Sequence, residues 1–310
     1  VWLSHRYATI FSDQAKVLTI RKGKHTMNAM ELKEKLQALA QNDFQPSGQA
    51  DLPELIPAML AHIGSTDSTL RDDLIYSAFA AWILGHKLIG PAELQELLHK
   101  LLGEEHIFYR IGEQESDSVF RRSFSVLLLP LILIAHRSQP FLAASEIARV
   151  KERLLAYLKQ ERDRRDFVPG KGWAHAVAHT ADALDDLAQC RELDQAGLRE
   201  ILAAIRAVVC VHEPVYTHGE DERLVTAVIA VIKRSLLPDT EIAQWIGSFE
   251  KPVLETKSMP QGITLRANIK NFLQSLYFRL DWAQSLGQFS VPLNQTLQKI
   301  SLFASQTNNG

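Results

Sequence analysis

The chain predicts an all-α protein, and three observations carry that prediction. Apolar residues recur at helical spacing through most of its 310 residues. No run shows the sustained alternation of a half-buried strand, and Pro, Gly and short polar residues punctuate the pattern where helices should start or stop. The recurrence places helices near 30–41, 51–64, 69–86, 91–102, 117–137, 143–161, 172–189, 194–210, 220–236, 239–248, 264–286 and 292–305.

The first residues, VWLSHRYATIFSDQAKVLTIRKGKHT, have little helical periodicity and lack the apolar core and cleavage site of a secretion signal. The run Lys22-Gly23-Lys24 reads as the translation of a purine-rich, ribosome-binding-like stretch shortly before Met27. Residues 1–29 are therefore expected to be a poorly structured or non-native extension, with the natural start at Met27 or Met30, and 30–310 a single all-helical domain. The second helix ends at Gly64, and in LRDDLIYSAFAAWI the third puts Asp72 and Tyr76 on one side, expected to be a solvated edge. Pro91, followed by Ala-Glu-Leu, suits the first turn of 91–102, and Gly103 ends it.

The strongest apolar run, FSVLLLPLILIA at 124–135, has twelve residues, short of the roughly 20 that span a bilayer. Arg121 and Arg122 precede it, and His136 and Arg137 follow. A core helix bent or interrupted at Pro130 is the expectation, with no stable membrane insertion. Ser145 before Glu-Ile-Ala and Asp239 before Thr-Glu-Ile are candidate N-caps, and Pro238 is a stop. ERDRRDFVPGKGW at 161–173 is charged and then Gly/Pro-rich, so it reads as a mobile, solvated rim, with anion binding as the alternative. In KNFLQSLYFRLDW, Phe272, Leu276 and Leu280 are core candidates. Helix pairs recurring about every 40 residues suggest a HEAT-like stack of antiparallel pairs, with an α/α toroid or irregular bundle as the alternative.

Hydrophobic residues make up 46% and charged residues 23%, so a sizeable core is feasible. A net charge of -2 with no basic domain argues against bulk nucleic-acid binding. The two cysteines, Cys190 and Cys210, make neither a disulfide framework nor a zinc-finger pattern, which suits a reducing cytoplasm. No phosphate loop, Rossmann fingerprint or nucleophile elbow stands out.

GKGWAHAVAHTADALDDLA, residues 170–188, holds the candidate chemistry. At about 100° per residue, taking His175 as zero, His179 falls near ~40°, Asp182 near ~340° and Asp186 near ~20°. Alanine, valine and leucine fill most of the remaining circumference, so the stripe reads as one groove on an otherwise packed helix. His175, His179 and Asp182 are the catalytic candidates. As His/His/Asp ligands they suit zinc or another divalent ion, which would activate water. Without metal, a histidine oriented by Asp182 would act as general base. Plain hydrogen bonding between helices accounts for the same residues. Trp173, Glu220, Asp221 and Arg223 are the binding candidates. The last three open a helix in HGEDERL, where acidic residues also simply complement the helix dipole. HEPVYTH adds His212, Tyr216 and His218 on a loop.

Five stretches in order, LRDDLIYSAFAAWI, FRRSFSVLLL, GWAHAVAHTADAL, EDERL and NFLQSLYFRL, resemble an uncharacterised bacterial domain-of-unknown-function family, numbered 2785, over roughly residues 50–285. GWAHAVAHTAD is the most specific block. The resemblance implies a bacterial origin and a shared architecture, and it supplies no substrate. Some members are described as membrane proteins, which the twelve-residue run does not support. The expected function is binding of a small molecule or peptide in the His/Asp groove, with hydrolysis as its extension. The competing class is a non-enzymatic scaffold holding a protein partner on a helical-repeat surface.

Overall fold

Asn28 sets the first helix, α1 (Ala29–Ala40), in a computed structural model that describes residues 27–46, 51–256, 259–284 and 287–304. Its side chain accepts from the N–H groups of Met30 and Glu31, and the Glu31 carboxylate accepts the Asn28 N–H in return, a reciprocal capping box. Of the extension expected over residues 1–29, residues 1–26 lie outside the described residues, while Asn28 and Ala29 cap and open α1. The described residues are mostly helical, as predicted. The short strands β1 (Phe167–Val168) and β2 (Gly172–Trp173) form the one sheet among the described residues. The chain divides into two compact units: Val1–Ala143 with Gln160–Ala176, and Ala144–Lys159 with Val177–Gly310.

In the first unit, α1 packs on α2 (Leu52–His62) and on the helical stretch that follows. That stretch, expected as one α-helix over 69–86, contains π-helical turns at Thr69–Tyr76 and Ala81–Gly85 around α3 (Ser77–Ala80). The wider turns carry Arg71 fully into the interior. Asp72 follows it as an ion-pair partner at 2.7 Å, which overturns the solvated-edge reading. Pro91 opens α4 (Pro91–Leu101) behind Gly90, as predicted. The twelve-residue apolar run lies in a longer helical stretch: α5 (Ser118–Leu127) and α6 (Leu129–Ser138) span 21 residues, an 18-residue window of which reaches a mean hydropathy of 1.7, long and apolar enough to cross a membrane by length and composition. Most of it is buried in the protein's own core, the ordinary state of a core helix. The break falls at Leu128, two residues before Pro130, whose ring and missing N–H forbid a continuous ladder there.

The second unit starts with α7 (Ala144–Gln160), whose onset at Ala144 places Ser145 inside the helix rather than at its cap. It continues through α8 (Ala176–Ala188), α9 (Gln195–Val209), α10 (Glu220–Lys233) and α11 (Asp239–Gly247). Asp239 is the first helical residue of α11; Pro238 stands at the cap. A short helix that the periodicity missed, α12 (Glu250–Glu255), precedes α13 (Gln261–Trp282) and α14 (Ser290–Ile300). α10 packs against α9 and α13, and α11 against α14. Phe272, Leu276 and Leu280 are core residues, as predicted.

Side chains close the helix ends in this unit. The Arg234 guanidinium donates to the carbonyls of Ala188, Cys190 and Leu193 beyond the end of α8. Asn268 on α13 accepts from the N–H of Tyr216 and donates to the carbonyls of Val211 and Pro214, pinning the α9–α10 loop. Cys190 and Cys210 are free thiols.

Candidate functional site

The segment 161–176 is built by two buried arginines. The Arg122 guanidinium, on α5, grips Glu161 with Nε to Oε2 at 2.6 Å and a second bond at 2.9 Å. Its other N–H groups reach the Tyr109, Arg110 and Glu113 carbonyls and the Ser118 hydroxyl. Glu161 also accepts from the N–H of Asp163, and Asp163 binds Arg165. Arg71 donates to the carbonyls of Ser65, Lys171 and Trp173, with its guanidinium over the Phe120 and Phe124 rings at 4.3 and 4.6 Å. These anchors correct the reading of 161–173 as a mobile, solvated rim at its start, where Glu161 and Asp163 are buried, while Arg162, Phe167, Pro169, Gly170 and Trp173 remain exposed as expected.

Between the anchors the chain reverses at Pro169-Gly170 and pairs Phe167 with Trp173 and Val168 with Gly172. Gly172 has φ +82, and a Cβ on it would come within 2.7 Å of the Ser68 Cβ, so conformation and space both demand glycine. An N–H from Ala174 to the Asp166 carbonyl at 2.7 Å closes the hairpin. Helix 172–189 is thereby corrected: α8 begins at Ala176, and His175 precedes it with φ +48.

That left-handed turn takes His175 off the helical stripe. Its ring lies flat on Trp173, with centroids 4.3 Å apart and planes 6° apart. His175 is buried to 7% exposure, whereas Trp173 keeps 37% and meets Phe167 edge-on. A ligating nitrogen of His175 and a carboxylate oxygen of Asp166 lie within 4.8 Å of each other. The hairpin thus presents an imidazole, a carboxylate and two partly exposed aromatic rings. It can position a proton-transfer pair or the first two ligands of a cation beside an apolar surface.

In the second unit, α8 is packed on most sides, as its composition predicted. His179 and Asp186 are buried, while Asp182 and Asp185 keep partial exposure. Asp182 and Arg223, from the two stretches singled out by sequence, meet: Nη1 to Oδ2 is 2.5 Å. Burial holds the Asp182 carboxyl above its usual range, with Arg223 pulling the other way. Glu220 is fully buried at the start of α10 and accepts the N–H of His218 at 3.0 Å. Asp221 is pushed up, mainly by burial. Tyr216 is buried with its hydroxyl on the Val208 carbonyl, and His212 and His218 stay on the loop.

Asp166 is the residue that sequence reading missed. It sits in RRDFVPGKGW, where a Pro-Gly turn between Phe167-Val168 and Gly172-Trp173 folds the carboxylate back toward the histidine. The turn signal was present; only the assignment of 172 onward to helix hid it.

A family model described as protein of unknown function (DUF2785) matches residues 107–278, over half of the chain. No curated protein and no solved structure matches it.

Proposed function

The chain belongs to the DUF2785 family, and from its own residues we propose that it binds a small molecule or peptide at the β1–β2 hairpin, with His175 and Asp166 as a proton-transfer pair. One observation carries this reading: an imidazole in a left-handed backbone, laid on Trp173, with a carboxylate within 4.8 Å. A non-glycine residue in that conformation costs about 1–3 kcal/mol, which the surrounding structure must offset. Such strain concentrates where a side chain has to be aimed.

In chemical terms, Asp166 would orient the neutral imidazole and stabilise its protonated form, so His175 could take a proton from water or a substrate hydroxyl. Hydrolysis is the reaction class this favours. The rings of Trp173 and Phe167 would hold an apolar part of the ligand. The same two residues would supply nitrogen and oxygen ligands to zinc or a similar divalent ion, whose chemistry is water activation. In the other unit, Arg223 is committed to Asp182, so that pair offers a ligand a dipole rather than a lone cation.

A thermal-shift screen of dipeptides and small esters tests the reading. Ligands that stabilise the wild type should lose about tenfold or more in affinity with His175→Gln and with Asp166→Asn. Ligands whose affinity survives both changes would refute it. Zinc, manganese or iron retained stoichiometrically, and lost on His175→Ala, would select the metal form.

The second reading is a protein-interaction scaffold built from HEAT-like helix pairs. Exposed apolar residues favour it: Phe278 and Trp282 stack on each other near the end of α13, and Trp282 is 74% exposed. A partner that co-purifies and survives His175→Gln but not Trp282→Ala would support this reading over the first.

A further inference from the structure

A second feature of the first unit carries chemistry of its own, apart from the His175 hairpin. Where the end of α2, the turn at 109–110 and the start of α5 come together, they line a solvent-open cavity of about 360 Å³. That volume lies in the range of small-molecule sites, roughly 300–1,000 Å³. We propose that this cavity binds a small oxyanion, a phosphate- or carboxylate-bearing molecule, between Arg110 and Arg121.

The charges support this. The Arg121 guanidinium lies over the Tyr109 ring at 4.9 Å, and that of Arg110 lies over the same ring at 5.4 Å. Two like charges are thus held on one aromatic group. Arg121 is half-buried and spends one donor group on the Ala61 carbonyl at 2.7 Å. Among the described residues it has no carboxylate partner, which leaves Nε and Nη1 with capacity for a forked contact. Among the described residues Arg110 has one distant carboxylate, Glu113 at 3.8 Å.

The acids nearby are already engaged. Asp117, in the cavity wall, is gripped by the Lys171 ammonium at 2.6 and 2.8 Å. Glu113 accepts the hydroxyls of Ser116 and Ser118, which hold its pKa below the usual range. Among these five groups, Arg110, Arg121 and Lys171 against Glu113 and Asp117, the balance is positive. An oxyanion would relieve the repulsion between the two guanidinium groups, and their planar forks suit its geometry.

The backbone is shaped to the same end. A Cβ on Gly64 would lie 2.6 Å from the Arg121 Cβ and 2.9 Å from its Cα. Only glycine lets the chain after α2 approach α5 this closely, and that approach brings Arg121 to the cavity wall. Capping the end of α2 through Ala61 is a structural role for Arg121. It does not account for Arg110, which reaches the same ring from a left-handed residue at φ +49.

The test is isothermal titration of the full chain with inorganic phosphate and with malonate, at low ionic strength with chloride as control. Saturable binding of at least one of them is expected, weakened about tenfold or more by Arg110→Ala, and unchanged by Arg199→Ala on α9. The Arg110 side chain is 61% exposed, so its removal leaves the fold intact. Arg121→Lys keeps charge and one donor for Ala61 but loses the fork, and should also bind more weakly. Preference for phosphate would identify a phosphate ester as the ligand class, and preference for malonate a carboxylate. No saturable binding of either, equal competition by chloride, or full affinity in Arg110→Ala would overturn the proposal.

Discussion

Replacing Arg122 by alanine should be among the most damaging single changes in the first unit. The guanidinium is fully buried and Glu161 is 4% exposed at its side chain. Removing one member of such a pair strands the other charge, at a cost of about 3–5 kcal/mol. Arg122 also satisfies the carbonyls of Tyr109, Arg110 and Glu113, partly buried groups that water can reach only in part. Their loss adds on the order of 1 kcal/mol. The total, roughly 4–6 kcal/mol, is a large share of the ~5–15 kcal/mol that typically separates folded from unfolded domains. Glu161→Gln keeps the shape and one acceptor, so it should cost roughly half as much. Removing both charges with Arg122→Met/Glu161→Leu should recover about 2 kcal/mol relative to the sum of the single losses. Urea denaturation gives the energies. Hydrogen exchange places them, with protection lost first at 103–116 and 161–175, the segments this arginine ties to α5. A loss under about 1 kcal/mol in Arg122→Ala, or unchanged exchange in those segments, would refute the reasoning.

Two further outcomes follow from the electrostatics. Burial, with Arg121 and Lys100 adding to it, pushes the His106 pKa down to about 4 from an ordinary 6.5. The folded state therefore binds its proton less readily than the unfolded chain. The His106 contribution is fully present above about pH 6.5 and is lost as pH falls toward 4, on the order of 1–3 kcal/mol. His106→Gln should flatten that part of a stability profile taken by urea denaturation between pH 4 and 7, and an unaltered slope would count against it. In the second unit, Arg223→Ala removes the charge that holds the Asp182 carboxyl down against burial. Its pKa should rise by about one unit or more, read from carboxyl-carbon NMR titration; no change would show the 2.5 Å pair to be absent in solution.

The helices were legible because their apolar residues repeat with the turn, and that repeat is what packs. The α8 boundary was not, because Trp173 and Ala174 continue the apolar period backward past the point where the backbone leaves it. Periodicity registers which residues are apolar; it is blind to the positive φ of Gly172 and His175. The cap assignments at Ser145 and Asp239 failed by one or two residues for a related reason: a residue suited to a cap is also tolerated in the first turn. Arg71 and Arg122 were illegible as core residues. Nothing local separates a solvated arginine from one whose carbonyl partners come from loops far along the chain, as Lys171 and Trp173 do for Arg71. The residue types of the site were legible and their pairing was only partly so. Asp182 and Arg223 were both singled out, whereas Asp166 needed the hairpin to bring it to His175.

The hairpin bears on what the histidine is for. A core histidine kept only to satisfy a neighbouring helix needs no unusual backbone. Here the left-handed turn at His175 follows a left-handed glycine and a strand of two residues, held by three anchors: Arg71 on the Lys171 and Trp173 carbonyls, the Ala174 N–H on Asp166, and the stack on Trp173. The stack contributes roughly 0.5–1.5 kcal/mol, comparable to the lower end of the backbone strain it accompanies. A glycine at position 175 would take the same turn without strain and would keep the Ala174 and Arg71 anchors, since both use backbone groups. The imidazole therefore does two things at once: it packs on Trp173, and it stands beside the Asp166 carboxylate in the arrangement that the proposed proton transfer or ligation requires.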